Sequence, residues 1–388
     1  MKYPKINLAI DNCFAVKRWV KPHDWAKIIA DMNIQCVEIS ADCECDPLYS
    51  DADYLTEWQH DVKNACTEHS IRVTSMYSGH GTYTTVGLAH SDNRMRKRFT
   101  DEWILPYAEM ASEFNSGMGF YMHAFSNDIL QNKEKYSLAY AELSETIKNA
   151  CRDAREKGAA FTAVEQMYSP QQLPWTISGT LRFINDTKSY ITIDTGHASG
   201  QRNFIRPSMS DILHAAENGH RIYVGTDYSC ALLKSLIDGS IGELKRDKAI
   251  YDICSDIALH DYMFSENSDC DLYKWIERLA VYSPIIHLQQ TDGSASSHRS
   301  FTPEENINGI VKPSKVLKAI KDSYDYAAVH QEITDVPLCE EITLTLELFY
   351  NLTDTTDKIL DNLRASADYW RRYIPYDGMY LDDVLDLI

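Results

Sequence analysis

The chain has 388 residues, 44% of them hydrophobic and 24% charged, a globular composition that excludes a disordered or fibrous chain. Its formal net charge of −19, from 38 basic and 57 acidic residues, opposes nucleic acid as a partner. No stretch approaches the ~18 consecutive apolar residues of a membrane helix, which leaves no membrane partner to expect.

The first apolar run is Ile6-Asn7-Leu8-Ala9-Ile10, with no long apolar segment before it, so the sequence predicts no secretory leader. A helical pattern follows over about 22–33. The second run, Gln35-Cys36-Val37-Glu38-Ile39, leads to a helix over about 52–69. The third, residues 71–76, is followed by a loop and a helix over about 101–114. Between them Arg94, Arg96, Lys97 and Arg98 form the one dense basic cluster, read as a solvated helix start. The fourth run, Gly119-Phe120-Tyr121-Met122, precedes a long helix over about 137–156, with Gly158 where a C-cap belongs. The fifth, Phe161-Thr162-Ala163-Val164, precedes a helix near 175–185. The sixth is Tyr190-Ile191-Thr192-Ile193, the seventh Ile285-Ile286-His287-Leu288, and the eighth residues 342–346. A last helix covers about 354–369.

Strands separated by helices imply right-handed βαβ units and a parallel sheet. Eight such units predict a closed (β/α)₈ TIM barrel over 1–388 as one α/β domain. An open doubly wound sheet would carry a Gly-rich phosphate turn after its first strand, and here that strand ends Asp11-Asn12-Cys13-Phe14. The sixth and seventh runs lie about ninety residues apart, so a helical insertion over approximately 203–270 is expected between them. Residues 271–281 read as the helix entering strand seven. Insertions after a barrel strand lie on the active-site face, so a lid is one expectation and an oligomer contact the other. The ten cysteines are scattered and form no C-x-x-C pair. They read as free thiols, and with no leader they point to the cytoplasm.

The metal-capable side chains fall at strand ends. Glu165 follows strand five and Asp194 follows strand six. His287 lies within run seven, and Glu347 ends strand eight. In a closed barrel these ends ring one mouth. Singly, each has a bland reading: a solvated Glu, a turn-forming Asp, a core His. Four at corresponding places in consecutive units point to a site. Three carboxylates and one imidazole make a hard donor set suited to Mn²⁺, Mg²⁺ or Co²⁺, with two octahedral positions open for sugar oxygens. Weaker candidates are Glu38, His80 and His123 as hydroxyl binders, and Trp19 and Tyr77 as stacking or packed rings. His298 and Arg299 after strand seven, with Arg202 and Arg206 after strand six, fit an anionic substrate or pairing with acidic neighbours.

Ala163-Val164-Glu165, Asp194-Thr195-Gly196-His197, Ile286-His287-Leu288-Gln289 with Thr291-Asp292-Gly293, and Leu346-Glu347-Leu348 resemble the xylose-isomerase-like barrel superfamily. Within it they look most like the sugar (phosphate) isomerase/epimerase branch. The resemblance implies a divalent metal, Mn²⁺ first with Mg²⁺, Co²⁺ or Zn²⁺ as alternatives, held by Glu165, Asp194, His287 and Glu347. It implies Glu165 and Glu347 as the catalytic acid/base pair, with His197 toward a small sugar or sugar phosphate and Arg299 as the match to the family's substrate arginine; His298 and Arg202 join them as substrate-binding candidates by their place after strands seven and six. Barrels of this branch often pair, so a homo-oligomer is compatible.

The chemistry stands without the family. A C–H beside a carbonyl is weakly acidic. A metal across the carbonyl and a neighbouring hydroxyl stabilises the enediolate, and a carboxylate suffices as base. Return of the proton to the other face gives epimerisation; return to the next carbon gives aldose–ketose isomerisation. Competing readings are a metal-dependent dehydratase or retro-aldol enzyme of a polyol or inosose-like substrate, a multi-zinc endonuclease on abasic DNA, and a non-catalytic sugar-binding barrel.

Overall fold

The computed structural model describes residues 2–83, 87–330 and 334–387, with the side chains of Thr82 and Tyr83 left aside. Eight parallel strands run β1 (Lys5–Asp11), β2 (Cys36–Ser40), β3 (Arg72–Tyr77), β4 (Gly117–Phe120), β5 (Thr162–Glu165), β6 (Tyr190–Asp194), β7 (Ile285–Leu288) and β8 (Glu341–Leu346). Each pairs with its successor, and β8 pairs with β1 from Lys5↔Glu341 to Ile10↔Leu346, so the sheet closes on itself. This is the expected TIM barrel. One strand was not foreseen: β9 (Met379–Tyr380) adds outside the ring, antiparallel to β1.

Alternation along the strands sorts the barrel into two faces. Ile6, Leu8 and Ile10 of β1, Ile191 and Ile193 of β6, and Ile342, Leu344 and Leu346 of β8 join the apolar cluster under the helices. The residues between them therefore face the barrel axis. They are polar or small: Asn7, Ala9 and Asp11, Thr192 and Asp194, Thr343 and Thr345, with Glu347 next in the row. A helix packed on one side and a polar axis on the other is why these runs read as half-buried yet every strand interior is closed to solvent.

Helices begin where caps invite them. Asp51, Asn132 and Thr355 accept from the backbone N–H three residues on, starting Ala52–His69, Lys133–Glu156 and Thr356–Arg371. The helix after β3 starts earlier than its sequence pattern suggests, at Asn93 behind the Asp92 cap, and runs through a π-turn (Thr100–Ile104) to Glu113. The basic cluster lies on its first turns, where Lys97 pairs with Asp101 and Arg98 with Glu102. Two helices between β7 and β8, Pro303–Asn308 and Pro313–Val329, were not predicted.

Between β6 and β7, helices Met209–Asn218, Asp227–Ile237 and Arg246–Leu259 pack on one another. Leu272–Leu279 then returns to the barrel wall against Ile177–Thr187 and Pro313–Val329. The three-helix unit sits beside the segment after β4. The Asp227 N–H donates to Gln131 Oε1 at 2.7 Å, the Tyr262 hydroxyl donates to Leu130 O at 2.9 Å, and the Tyr262 ring stacks on Tyr136 at 3.7 Å. None of the described cysteines is in a disulfide. Among the described residues, no helix is long and apolar enough to cross a membrane.

Candidate metal centre

Strand register brings the sequence-distant donors together. Asp194 of β6 lies directly opposite His287 of β7. The Glu347 N–H continues the ladder to Leu288 O at 3.1 Å, which fixes that carboxylate beside His287. One ligand atom from each of Glu165, Asp194, His287 and Glu347 lies within 4.8 Å of all the others; the first three residues are buried and Glu347 is nearly so.

Second partners aim these atoms. The His287 Nε2 atom is 2.9 Å from Glu38 Oε1, on the opposite side of the barrel, and Ser75 donates to Glu38 Oε2 at 2.6 Å. The ring thus sets Nε2 against Glu38 and Nδ1 toward Glu165 and Glu347, each 3.4 Å away. Tyr77 meets the same ring edge-on at 4.6 Å. Asp194 Oδ1 accepts from the Gly196 and His197 N–H groups at 2.6 and 3.1 Å. Gln289 Nε2 donates to both Asp194 oxygens at 2.8 and 3.0 Å.

The charges are crowded, and the protonation balance shows it. Burial pushes the Glu165 carboxyl up against the pull of His287. Burial acts the same way on Glu347, but His287 and His298 beside it prevail and hold it well below the usual carboxylate range. For His298 burial alone would lower the pKa, and the Glu347 carboxylate lifts it to about 9. Asp11, buried at the tip of β1, is raised by burial and then by Glu38 and Glu347.

Three carboxylates around one imidazole in a dry site are costly without a cation. Glu347 Oε2 is buried and lacks a well-formed hydrogen bond, its nearest polar contacts being His298 Nδ1 at 3.3 Å and His287 Nδ1 at 3.4 Å. The donor set and this orphaned oxygen fit a divalent ion of the hard or borderline kind. A cation would compete with protons for the same lone pairs. A second trio, Asp194, His197 and His298, adjoins the first and shares Asp194; a third, His23, Glu68 and His69, lies near the surface.

Above the donors lies a cavity of about 200 Å³ whose wall includes His80, Tyr121, Tyr168, His197, His298 and Phe349. The His197 Nδ1 atom is 2.6 Å from Gln166 O, and Tyr168 meets the His197 ring at 4.9 Å. His298 stacks on Phe349 at 4.1 Å. It is carried back over the mouth by a loop whose ends pair at Gln290 and Arg299, and Gln289 Oε1 accepts its N–H at 2.6 Å.

Several weaker candidates go elsewhere. Arg299 is half-exposed, 3.3 Å from Glu305 and 3.6 Å from Asp292. Arg202 is exposed, and Arg206 pairs with Glu266 at 3.1 Å. None of the three lines the cavity. Glu38 binds His287 rather than facing the opening. His123 is buried against Leu173 O, and Trp19 packs on Phe14. No residue of 203–270 lines the cavity; the insertion meets the segment after β4, through Asp227 on Gln131 and Tyr262 on Leu130. A larger hollow of about 380 Å³ lies there, between Lys133–Glu156 and the insertion, and it holds none of the four donors. Sequence reasoning missed Gln289 as the brace of Asp194, and the aromatic wall of Tyr121, Tyr168 and Phe349. Position two after His287 was the available signal for Gln289.

The sequence profile of the xylose isomerase-like TIM barrel family matches residues 26–224, just over half of the chain. The chain belongs to that family. It is 28% identical over 121 residues to D-erythrulose 1-phosphate 3-epimerase of Brucella abortus (strain 2308), a match covering 31% of this chain and about a third (34%) of that relative's length. A putative xylose isomerase from Rhodospirillum rubrum superposes with a TM-score of 0.66 at 17% identity, over 94% of this chain and 98% of the other. D-psicose 3-epimerase from Clostridium cellulolyticum H10 gives 0.53 at 10% identity, over 95% and 98%. At these identities the two structures bear on the fold alone.

Proposed function

We propose that this xylose isomerase-like barrel is a divalent-metal-dependent isomerase or epimerase of a small sugar. The observation that carries this reading is the convergence of Glu165, Asp194, His287 and Glu347 within 4.8 Å beneath a cavity at the barrel mouth. When bound, the ion (Mn²⁺ first, with Mg²⁺, Co²⁺ or Zn²⁺ as alternatives) would supply the positive charge that stabilises an enediolate.

The chain's own groups do the rest. Glu165 and Glu347 reach the cavity from β5 and β8, strands that are not neighbours, so they approach a bound sugar from different sides. Either carboxylate can take a proton from a carbon beside a carbonyl. Return by the other inverts that carbon, and return to the adjacent carbon moves the carbonyl. His197, anchored through Nδ1 on Gln166 O, keeps its other nitrogen for a substrate hydroxyl. His298 stands 3.3 Å from Glu347 with its ring stacked on Phe349, which fixes its position at the cavity wall. The 3-epimerase named among the relatives supports the same reaction class.

The test is an assay of chelator-stripped protein, with and without Mn²⁺, against a panel of ketoses. A product of unchanged mass that appears only with metal is expected. Activity indifferent to metal, or no isomer from any ketose, contradicts the reading, and a product lighter by one water moves it to a dehydratase.

A further inference from the structure

We infer that the protein carries a further metal site, a zinc site on its outer face made by His23, Glu68 and His69. It does not rest on the isomerase reading, and none of its three residues lines the cavity at the mouth. His23 is the second residue of the helix Pro22–Ala30, which follows β1. Glu68 and His69 end the helix Ala52–His69, which follows β2. The two helices pack on one another, and one ligand atom from each of the three side chains lies within 4.8 Å of the other two.

The spacing suits a shared ion better than a direct bond. His23 Nε2 is 3.4 Å from Glu68 Oε1, longer than a good N–H···O bond of ~2.7–3.2 Å. Two donors on one tetrahedral zinc, each at about 2.0–2.1 Å from it, stand roughly 3.4 Å apart. The His23 and His69 rings lie 5.0 Å apart between centres and are tilted by 59°, so they do not stack. His69 Nε2 is shut off from solvent and has no hydrogen-bond partner, a cost that a metal ion would remove. Asp24 Oδ1 stands 3.7 Å from the other nitrogen of His23, where a carboxylate orients a metal-bound imidazole. Glu68 and His69 also sit at the negative end of an 18-residue helix, which favours a cation.

Donor chemistry separates this trio from the mouth. Two imidazoles and one carboxylate make a borderline set that suits zinc, with the fourth tetrahedral position left to water. Mn²⁺ stands lowest in the affinity order for such donors, and the carboxylate-rich mouth suits it better. The side chains of His23 and Glu68 are exposed, which leaves the ion a way in. Zinc held here would tie the helices of two successive βα units and so stabilise the folded chain.

The experiment titrates metal-free full-length chain with Zn²⁺, and separately with Mn²⁺, by calorimetry. The parent is compared with His23→Ala, His69→Ala and, as a variant of the mouth, Glu347→Gln, each checked for folding by circular dichroism. Crystals of the parent grown at stoichiometric zinc are measured on both sides of the zinc absorption edge, a readout that needs no variant. The expected result is an anomalous peak bonded to His23, Glu68 and His69, and one zinc equivalent lost in each histidine variant. Glu347→Gln should keep that peak, and Mn²⁺ uptake should be the same in the parent and the histidine variants. Zinc should raise the melting temperature of the parent more than that of either histidine variant. No zinc peak at the trio, or an unchanged zinc stoichiometry in a folded histidine variant, overturns the inference. An equivalent of Mn²⁺ lost together with the zinc overturns the assignment to zinc. Each comparison concerns the outer face alone, so it stands whether or not the mouth turns over a sugar.

Discussion

The two halves of the barrel mouth do different work. The β5–β8 half supplies the four donors, one per strand, all at the tips. The β1–β4 half supplies no donor to that cluster. Instead Glu38 and Ser75 reach across from β2 and β3 and hold the imidazole that β7 presents. A donor set that chain order places on one side is thus aimed from the other, and only barrel closure connects them.

Removing a donor should cost far more than removing an aiming group, and variants can break that ordering. Glu347→Gln and Glu165→Gln keep the shape and remove a proton carrier. Each should lower kcat by roughly 10²–10⁴-fold with the fold intact by circular dichroism. Glu38→Gln comes next. It should weaken metal affinity about 10–100-fold in a chelator competition while leaving the melting temperature nearly unchanged. Ser75→Ala should do the same to a smaller degree. If Glu38→Gln binds metal as tightly as the parent, the two halves are not coupled through His287.

Gln289→Leu probes the brace on Asp194. It strands the N–H groups of Ser297 and His298, so a loss of about 1–3 kcal/mol in urea unfolding is expected, with a raised KM as the His298 loop loosens. A smaller contrast concerns His123, which sits behind the cavity wall. Burial lowers its pKa from the ordinary 6.5 to about 4. The unfolded chain then takes up this proton first, so stability should fall as pH drops from about 6.5 to about 4 and this contribution should level off below. His123→Gln should flatten that slope in pH-dependent unfolding. The smallest effect is expected outside the mouth. Arg299→Ala should change stability by less than ~0.5 kcal/mol, because its pairs are half-exposed and screened. Its kcat/KM should stay within about twofold; a large loss would place Arg299 at the substrate after all.

The fold was legible because the strands alternate. Ile342-Thr343-Leu344-Thr345-Leu346 announces one face for helices and one for the axis, and Glu347 then falls in the axial row. The donor cluster was legible for the same reason. The aiming groups were harder. Glu38 looks like any strand-end carboxylate until closure sets it against His287. Arg299 and Arg202 look like anion binders until the loops turn them outward, since backbone loop direction leaves little trace in residue type. The helices over 303–329 carried a signal, Pro303 and Pro313 at helix starts, that periodicity alone did not reveal. The insertion's length was visible, but its docking beside β4 depends on contacts such as Tyr136 with Tyr262 that lie 126 positions apart in sequence.

Anomalous diffraction at the manganese edge from crystals grown with Mn²⁺ tests the central claim most directly. The account predicts a dominant peak bonded to Glu165, Asp194, His287 and Glu347 together, with Glu38 still on His287. A dominant peak at the surface trio of His23, Glu68 and His69, or no peak in the barrel mouth, would contradict it.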